Sequence, residues 1–434
     1  MASQDHHQQT NNDGPLFNSS VSRGGSPYHQ GQAGLDEQQG GHTGKGGGSK
    51  NKKKKKKSSS ASATNDLLKP LTEIFKDLAF PVGEVCEYKA EIRLRASTEE
   101  LAERERLDNL DQDKQYRLVR QAAEAHRRVR MYARQSIKPG MTMTEVADLI
   151  ENGVRTVVEA QGLERGIAFP TGLNLNECAA HYTPNPGDKR ILLDTDVLKV
   201  DIGVHVKGRI CDSAFTLTFD GGRQWEPLLE AVRAATETGI KEAGIDARLG
   251  EIGAAIQETM ESHECQVDGR TLPIKAIRNL CGHSIEQYRI HGSHSVPIVA
   301  EPDNVIKMIE GHYYAIETFG STGLGYTVER GACSHYYKSR NSSSVPASSV
   351  TLFSARKLLQ TIDQSFGTLP FCRRYLERAG EKNYLLGLKH LASAGIIDEC
   401  PPLCDVEGSM TAQFEHTILL RPTCKEVVSR GIDY

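Results

Sequence analysis

The sequence predicts an α+β fold made of two similar halves that face each other across a central cleft. Two pairs of helical segments occur along the chain, and each pair is followed by segments with the composition of β-strands. The repetition of this order indicates an internal duplication. Two unrelated α/β modules joined in series would give the same order, so that alternative stays open.

The first helical pair covers residues 118–135 and 143–162, in which apolar side chains recur at helical spacing. Lys138–Gly140 separates the two segments, because proline and glycine end helices. Thr144 is the expected N-cap of the second helix. These residues should form a helical hairpin.

The second helical pair covers residues 228–244 and 249–262, with a break between them. Strand-like runs follow each pair. In the first half, residues 197–219 contain two β-rich runs on either side of Val206–Gly208, which is typical of a β-hairpin.

Four carboxylates lie inside apolar, strand-like runs: Asp201, Asp212, Glu317 and Glu415. Burial of an acid is unfavourable unless the acid is paired or coordinates a metal. An arginine partner, or an exposed strand face, would explain any single one of them. Asp201 and Asp212, however, are expected on one face of the hairpin at about 5 Å from each other, which suits two adjacent cations.

The four acids and His283 form a candidate set of metal ligands. One nitrogen and many oxygens suit Co, Mn, Fe or Zn better than copper. Four negative charges exceed the charge of one divalent ion but are balanced by two. Two metals about 3.5 Å apart can share a bridging hydroxide as the nucleophile, so the sequence predicts a metal-dependent hydrolase.

Two further histidines, His181 and His291, lie near these segments in the sequence. A lone histidine on a loop is more often a surface or core residue. Attack of a hydroxide on an amide, however, also needs donors for the carbonyl oxygen and for the departing nitrogen. Both histidines are therefore candidates for that role.

Several segments closely resemble the type 2 methionine aminopeptidases of eukaryotes, in particular those of fungi. The resemblance begins at about Leu67 and extends to the C-terminus. Five motifs carry it in the family's order: residues 168–185, 199–219, 282–291, 315–323 and 411–431.

The resemblance implies the pita-bread fold, with two pseudo-symmetric αβ halves around a curved antiparallel sheet. It implies an N-terminal extension at residues 65–117 and a catalytic domain at residues 118–434. A helical subdomain, the mark of type 2 members, is expected at about residues 335–400. The implied reaction is co-translational removal of the N-terminal methionine from nascent proteins whose second residue is small and uncharged.

The resemblance also implies a role for each candidate metal ligand. Asp201 would chelate one ion, Asp212 and Glu415 would bridge both, and His283 with Glu317 would complete the other. Glu317 would in addition accept the proton of the bridging water.

The same resemblance implies which residues hold the substrate. His181 would contact the scissile amide nitrogen, and His291 would contact the carbonyl or the next residue. Phe169, Ile290 and His335 would line an apolar pocket for the methionine side chain.

The chain departs from animal members at two positions of this pocket. Pro370 stands where they have alanine, and Cys400 stands where they have tyrosine. The flexible thioether of methionine should still fit an apolar pocket. We expect the two residue differences to affect the fine ranking of substrates and the affinity of inhibitors.

Other classes fit the sequence less well. Relatives of the same fold cleave Xaa-Pro bonds or hydrolyse creatine, so the fold alone does not fix the substrate. A non-catalytic, ribosome-associated relative would have lost metal ligands, whereas all five are present here. An RNA-binding module is disfavoured because the body of the chain, after residue 64, has a net charge of −8 and no evident stacking-aromatic motif.

Residues 1–64 have a polar composition that predicts a disordered tail of net charge +5. Its main feature is a lysine run, Lys50 and Lys52–Lys57. The run would either keep the protein soluble or hold it on a phosphate-rich partner such as the ribosome, with an initiation factor as a further candidate. We expect a cytoplasmic protein without a membrane span, because neither a signal peptide nor a long apolar run is evident and the ten cysteines form no CxxC pair.

Overall fold

The computed structural model describes residues 66–93, 96–109 and 113–434. The predicted tail, including its lysine run, lies outside these residues. Within them the chain forms ten α-helices: α1 (Leu71–Ile74), α2 (Ala90–Arg93), α3 (Thr98–Asn109), α4 (Asp113–Ser136), α5 (Met143–Val157), α6 (Glu226–Glu242), α7 (Leu249–Glu261), α8 (Phe353–Ser365), α9 (Arg373–Arg378) and α10 (Leu385–Ser393).

The strands pair antiparallel throughout the described sheets. Their bounds are β1 (Glu84–Glu87), β2 (Arg165–Leu175), β3 (Cys178–Ala180), β4 (Leu198–Val206), β5 (Arg209–Leu217), β6 (Glu264–Val267), β7 (Arg270–Pro273), β8 (Lys275–Ala276), β9 (Cys281–Ile285), β10 (Ser295–Pro297), β11 (Tyr313–Ser321), β12 (Val328–Glu329), β13 (His335–Lys338), β14 (Phe371–Cys372), β15 (Ile397–Cys400), β16 (Leu403–Cys404), β17 (Thr411–Leu420) and β18 (Cys424–Val427).

The first half consists of the sheet β2-β4-β5, against which α4 and α5 pack. The predicted hairpin is confirmed, and its two-residue turn is Lys207-Gly208. Both turn residues have positive φ, 50° and 77°, as a type I′ turn requires. This turn fixes the register in which β4 and β5 face each other.

The predicted cap of α5 is wrong. The N-cap is Thr142, whose hydroxyl accepts a hydrogen bond from the backbone N–H of Glu145. The Glu145 carboxylate in turn accepts a hydrogen bond from the Thr142 backbone N–H. This capping box places Thr144 inside the first turn of the helix.

The second half repeats the arrangement of the first. Its sheet has the order β1-β18-β17-β11-β9-β10, with β8 paired to β11, and α6 and α7 pack against it. Both helical hairpins, each followed by a sheet, are therefore present as predicted. Strand β1 of the N-terminal segment extends this sheet by pairing with β18.

The two sheets meet where β5 lies beside β17, and hydroxyl side chains join these strands. The Thr417 hydroxyl bonds both the N–H and the C=O of Asp212. The Thr216 hydroxyl does the same for Gln413, and the Ser213 hydroxyl donates to the carbonyl of Glu415. Hydroxyl side chains rather than a backbone ladder therefore satisfy the buried backbone groups where the two halves meet.

Residues 335–400 carry helices α8–α10 and the small sheet β14-β13-β15. They enclose a second hydrophobic core that includes Tyr336, Leu358 and Phe371. A buried ion pair attaches them to the first half. The guanidinium of Arg374 donates to both carboxylate oxygens of Glu151, at 2.8 and 2.7 Å.

In the described part of the chain, no helix is long and apolar enough to cross a bilayer. All ten cysteines lie in that part, and each is a free thiol.

Removal of the buried carboxylate by Glu151→Ala should lower the free energy of unfolding by about 3 kcal/mol, because the Arg374 cation is left buried without its partner. Urea denaturation measures this loss. Glu251→Ala is the matched control, since the Arg248–Glu251 pair is exposed and should contribute less than about 1 kcal/mol. Equal losses in the two variants would contradict the attachment by a buried ion pair.

Candidate metal centre

The five candidate ligands come from five strands that converge at the junction of the two sheets. Asp201 lies opposite Ala214, and Asp212 lies opposite Gly203, so the two aspartates are diagonal neighbours on one face of the hairpin. The five positions are Asp201 on β4, Asp212 on β5, His283 on β9, Glu317 on β11 and Glu415 on β17.

In the second half, Glu317 and Glu415 are directly opposite each other across β11 and β17. His283 lies one strand further, opposite Ala315. The ligand atoms form two groups, Asp212–His283–Glu415 and Asp201–Glu317–Glu415, in each of which the atoms lie within 4.8 Å of one another. The structure thus brings all five residues together.

Glu415 is shared by both groups, as a bridging ligand must be. The grouping differs from the expected arrangement in two respects: Glu317 lies with Asp201 rather than with His283, and Asp212 belongs to one group only. Asp212 instead approaches His283, with 3.6 Å between the carboxylate Oδ2 and the imidazole Nε2.

Several oxygens of this cluster have no hydrogen-bond partner although they are buried: Oδ1 of Asp201, Oδ1 of Asp212 and both oxygens of Glu415. Among the described residues, no lysine or arginine forms an ion pair with any of the four acids. The arginine-partner explanation therefore fails, and converging unpaired oxygens fit a pair of divalent cations.

Burial raises the pKa of the four carboxyl groups. For Asp201 the pKa rises to about 6, and hydrogen bonds oppose the effect of burial. The pKa of Asp212 and that of Glu415 are raised well above their usual values by burial and then by the neighbouring carboxylates. The same two causes raise the pKa of Glu317. The cluster therefore lacks positive charge that bound cations would supply.

Burial lowers the pKa of the histidines around the cluster. The pKa of His283 and that of His181 fall to about 4, and that of His335 falls to about 3. The pKa of His291 is lowered well below its usual value by burial and by the nearby His283 and His181. These imidazoles are neutral at pH 7, the form in which a histidine binds a metal or accepts a proton.

His181 has a strained backbone, with a φ of 64°. Its carbonyl accepts a hydrogen bond from the hydroxyl of Ser334, and its ring is hydrogen-bonded to the carbonyl of Pro401. Contacts from beyond β12 thus hold the residue in this conformation. Strain of this kind is typical of functional sites.

A cavity of about 340 Å³ opens beside the cluster and is largely apolar. The candidate substrate residues line it together, and so do both residues that depart from animal members: Phe169, His181, Ile290, His291, His335, Pro370 and Cys400. Phe169 covers Gly203, where an added Cβ would lie 2.2 Å from the ring. Any larger residue at position 203 would therefore displace the Phe169 ring from this wall of the cavity.

Sequence reasoning missed Gln413, which contacts two of the candidate ligands. Its side-chain amide donates to Oδ2 of Asp201 at 3.1 Å and to Oε1 of Glu317 at 2.7 Å. The strand alternation could have indicated it, because Gln413 lies two positions before Glu415 and so faces the same side.

Comparison with known proteins agrees with this geometry. Metallopeptidase family M24 matches residues 117–421. Methionine aminopeptidase 2 of Malassezia globosa is 62% identical over 368 residues, which cover 84% of this chain and 81% of that protein. Methionine aminopeptidase 2 of Schizosaccharomyces pombe is 58% identical over 371 residues, which cover 86% of this chain and 85% of the relative.

A solved structure of a thermophilic Arx1 is similar with a TM-score of 0.59 and 15% identity, over 78% of this chain and 92% of that chain. This likeness concerns the fold alone, and it supports the predicted pita-bread fold. The predicted family resemblance is confirmed by the fungal relatives. The chain therefore belongs to metallopeptidase family M24, among its type 2 methionine aminopeptidases.

Proposed function

We propose that this chain removes the N-terminal methionine from nascent proteins whose second residue is small and uncharged. Membership of the family makes it a metal-dependent aminopeptidase that uses two divalent ions, Co, Mn, Fe or Zn. One observation carries the placement of the active site. Glu415, whose two carboxylate oxygens are buried without a hydrogen-bond partner, belongs to both groups of candidate ligand atoms.

The proposed ligands are Asp201, Asp212, His283, Glu317 and Glu415. When bound, the two ions supply a Lewis acid and an activated water for amide hydrolysis. The protein contributes the buried geometry that holds the carboxylates at the junction of its two sheets. Glu317, which is half-buried at the edge of the cavity, is placed to accept a proton during the reaction.

The cavity residues are assigned as follows. Phe169, Ile290 and His335 enclose the methionine side chain in a mostly apolar space. His181 and His291 line the same cavity as uncharged imidazoles at neutral pH, so they can donate to the scissile amide. Their position beside the ligands leaves little room next to the scissile bond, which favours a small second residue.

We propose the same division of the chain as the sequence predicts: a tail at residues 1–64, an extension at 65–117 and a catalytic domain at 118–434 with an insertion at about 335–400. The separate core of the insertion and its pairing through Arg374 support this division. We assign the tail to ribosome attachment in the cytoplasm, with an initiation factor as a further partner. The support for this assignment is its lysine run.

Asp212→Asn should lose most of the bound metal and lower kcat/KM by more than about 100-fold, because a neutral amide is a much weaker ligand for divalent cations than a carboxylate. Metal analysis and hydrolysis of Met-Ala-Ser measure both effects. The control Asp220→Asn changes an aspartate whose side chain is 83% exposed and should behave as the parent protein. Wild-type turnover by Asp212→Asn at saturating metal would refute the dinuclear site.

Without metal, Asp201 should destabilise the folded protein as the pH rises. Its folded pKa of about 6 lies above the unfolded value near 4, so the folded protein holds a proton that the unfolded chain releases. The free energy of unfolding therefore falls as the pH rises from about 4 to above 6. Asp201→Asn has no carboxyl group to titrate at this position. With both proteins chelated, the free energy of unfolding of the variant minus that of the wild type should therefore increase over this pH range. If this difference in stability does not change with pH, the raised pKa of Asp201 is contradicted.

Peptides should be discriminated by their second residue. Met-Ala-Ser should be cleaved faster than Met-Lys-Ser by about 100-fold or more in kcat/KM, since a buried site cannot accommodate a long cationic side chain. Met-Gly and Met-Thr peptides serve as further small substrates. Equal rates on the alanine and lysine peptides would contradict the proposed specificity.

Deletion of residues 1–64 should leave the hydrolysis of Met-Ala-Ser nearly unchanged but abolish co-sedimentation with ribosomes at low salt. Replacement of Lys52–Lys57 by Gln should have the same effect, because the attraction to RNA phosphates comes from these cations and weakens steeply with salt. If attachment survives both changes, the tail only keeps the protein soluble.

A further inference from the structure

Gln413 is fully buried on β17, and its side-chain nitrogen uses both of its N–H groups on carboxylates. One N–H points to Asp201, which belongs to the sheet of the first half. The other points to Glu317, which belongs to the sheet of the second half. A single amide therefore connects the two halves of the molecule at the ligand cluster.

We infer that Gln413 is a positioning residue that preorganises Asp201 and Glu317 for metal binding and so sets the affinity for both ions. This inference rests on the proposed metal centre. Asp201 and Glu317 belong to one ligand group with Glu415, and Glu415 also belongs to the other group. A residue that holds both carboxylates therefore orders one group directly and the other through their shared ligand. Partners of metal ligands commonly change affinity by about 10- to 100-fold when they are removed.

The chemistry of the side chain fits this role. Glutamine offers two N–H donors without a charge. A glutamate at position 413 would add a fifth carboxylate to a cluster that already contains four. A lysine would add a permanent cation that competes with the metal ions. The neutral amide can order two carboxylates and still leave their charge for the ions.

The orientation of the amide is determined by the same contacts. Rotation by 180° would turn its carbonyl oxygen towards the two carboxylates, which is repulsive. In the observed orientation, Oε1 of Gln413 is buried and has no hydrogen-bond partner. An unpaired buried acceptor is unfavourable, so the two contacts to the carboxylates must outweigh it.

Each contact occupies one carboxylate oxygen and restrains the rotation of the group. In Asp201 the amide binds Oδ2, whereas Oδ1 has no hydrogen-bond partner and can face an ion. Both acids are only partly buried, so water could reach their oxygens if the amide were absent. Water would satisfy the oxygens without fixing their direction. Loss of Gln413 should thus affect metal affinity more than folding.

Thr216 provides a matched control, because it holds the backbone of the same residue. Its hydroxyl donates to the carbonyl of Gln413 at 2.7 Å and accepts from the N–H at 2.9 Å. Both bonds are buried between β5 and β17. Thr216→Val therefore removes two structural hydrogen bonds at position 413 without removing the amide donors that face the ligands.

The test compares Gln413→Met, which conserves length, and Gln413→Leu with Thr216→Val in the full-length chain. Calorimetric titration of the chelated proteins with Mn²⁺ or Co²⁺ gives both dissociation constants, and thermal unfolding gives their metal-free stability. We expect the Gln413 variants to bind both ions about 10- to 100-fold more weakly with little change in melting temperature. Thr216→Val should melt at a lower temperature and keep its metal affinity within about threefold, because its unpaired groups lie away from the ions.

The outcomes separate this inference from the proposed function. A wild-type chain that fails to bind two ions would overturn the proposed metal centre itself. If the wild type binds two ions and Gln413→Met binds them equally tightly, the positioning role is overturned. It is also overturned if all variants lose affinity in proportion to their loss of stability, since that pattern indicates a merely structural residue.

Discussion

The arrangement of this molecule depends on four carboxylates that share one cleft, and none of the described lysine or arginine side chains pairs with them. Such a cluster is unfavourable on its own, because burial and mutual repulsion both oppose ionisation. The acids stay close together because they lie on strands that are held in place by their hydrogen-bonded neighbours. Cations bound at the centre would convert this unfavourable arrangement into a stable one, which couples metal binding to the stability of the fold.

Strand β17 organises that centre from one of its faces. Gln413 orders two of the acids, Glu415 is the ligand common to both groups, and Thr417 fixes the backbone of Asp212. Successive side chains on one face of a strand are spaced evenly, so three alternate positions can serve the whole cluster. The hydroxyl side chains between β5 and β17 hold β5, a strand of the first half, in a fixed position relative to β17.

The fold and the ligands could largely be predicted because they leave local signals in the sequence. Acids such as Asp201 in apolar runs, a Lys207-Gly208 turn and repeated helical hairpins each have a recognisable pattern. The role of Gln413 and the hydroxyls at the junction could not be predicted, since these contacts depend on which distant strands become neighbours. The capping box at Thr142 has a recognisable Thr-x-x-Glu pattern, whereas the predicted cap was Thr144, two residues further along the chain.

The wall of the apolar cavity has a mixed origin. Phe169 comes from the first sheet, whereas His335, Pro370 and Cys400 come from the segment that carries its own core. Substitutions in that segment can reshape the cavity while the ligand strands stay as they are. Consider a compound whose head group binds the ions and whose remaining part contacts Pro370 and Cys400. Its selectivity for this enzyme over animal relatives would come from the cavity wall alone.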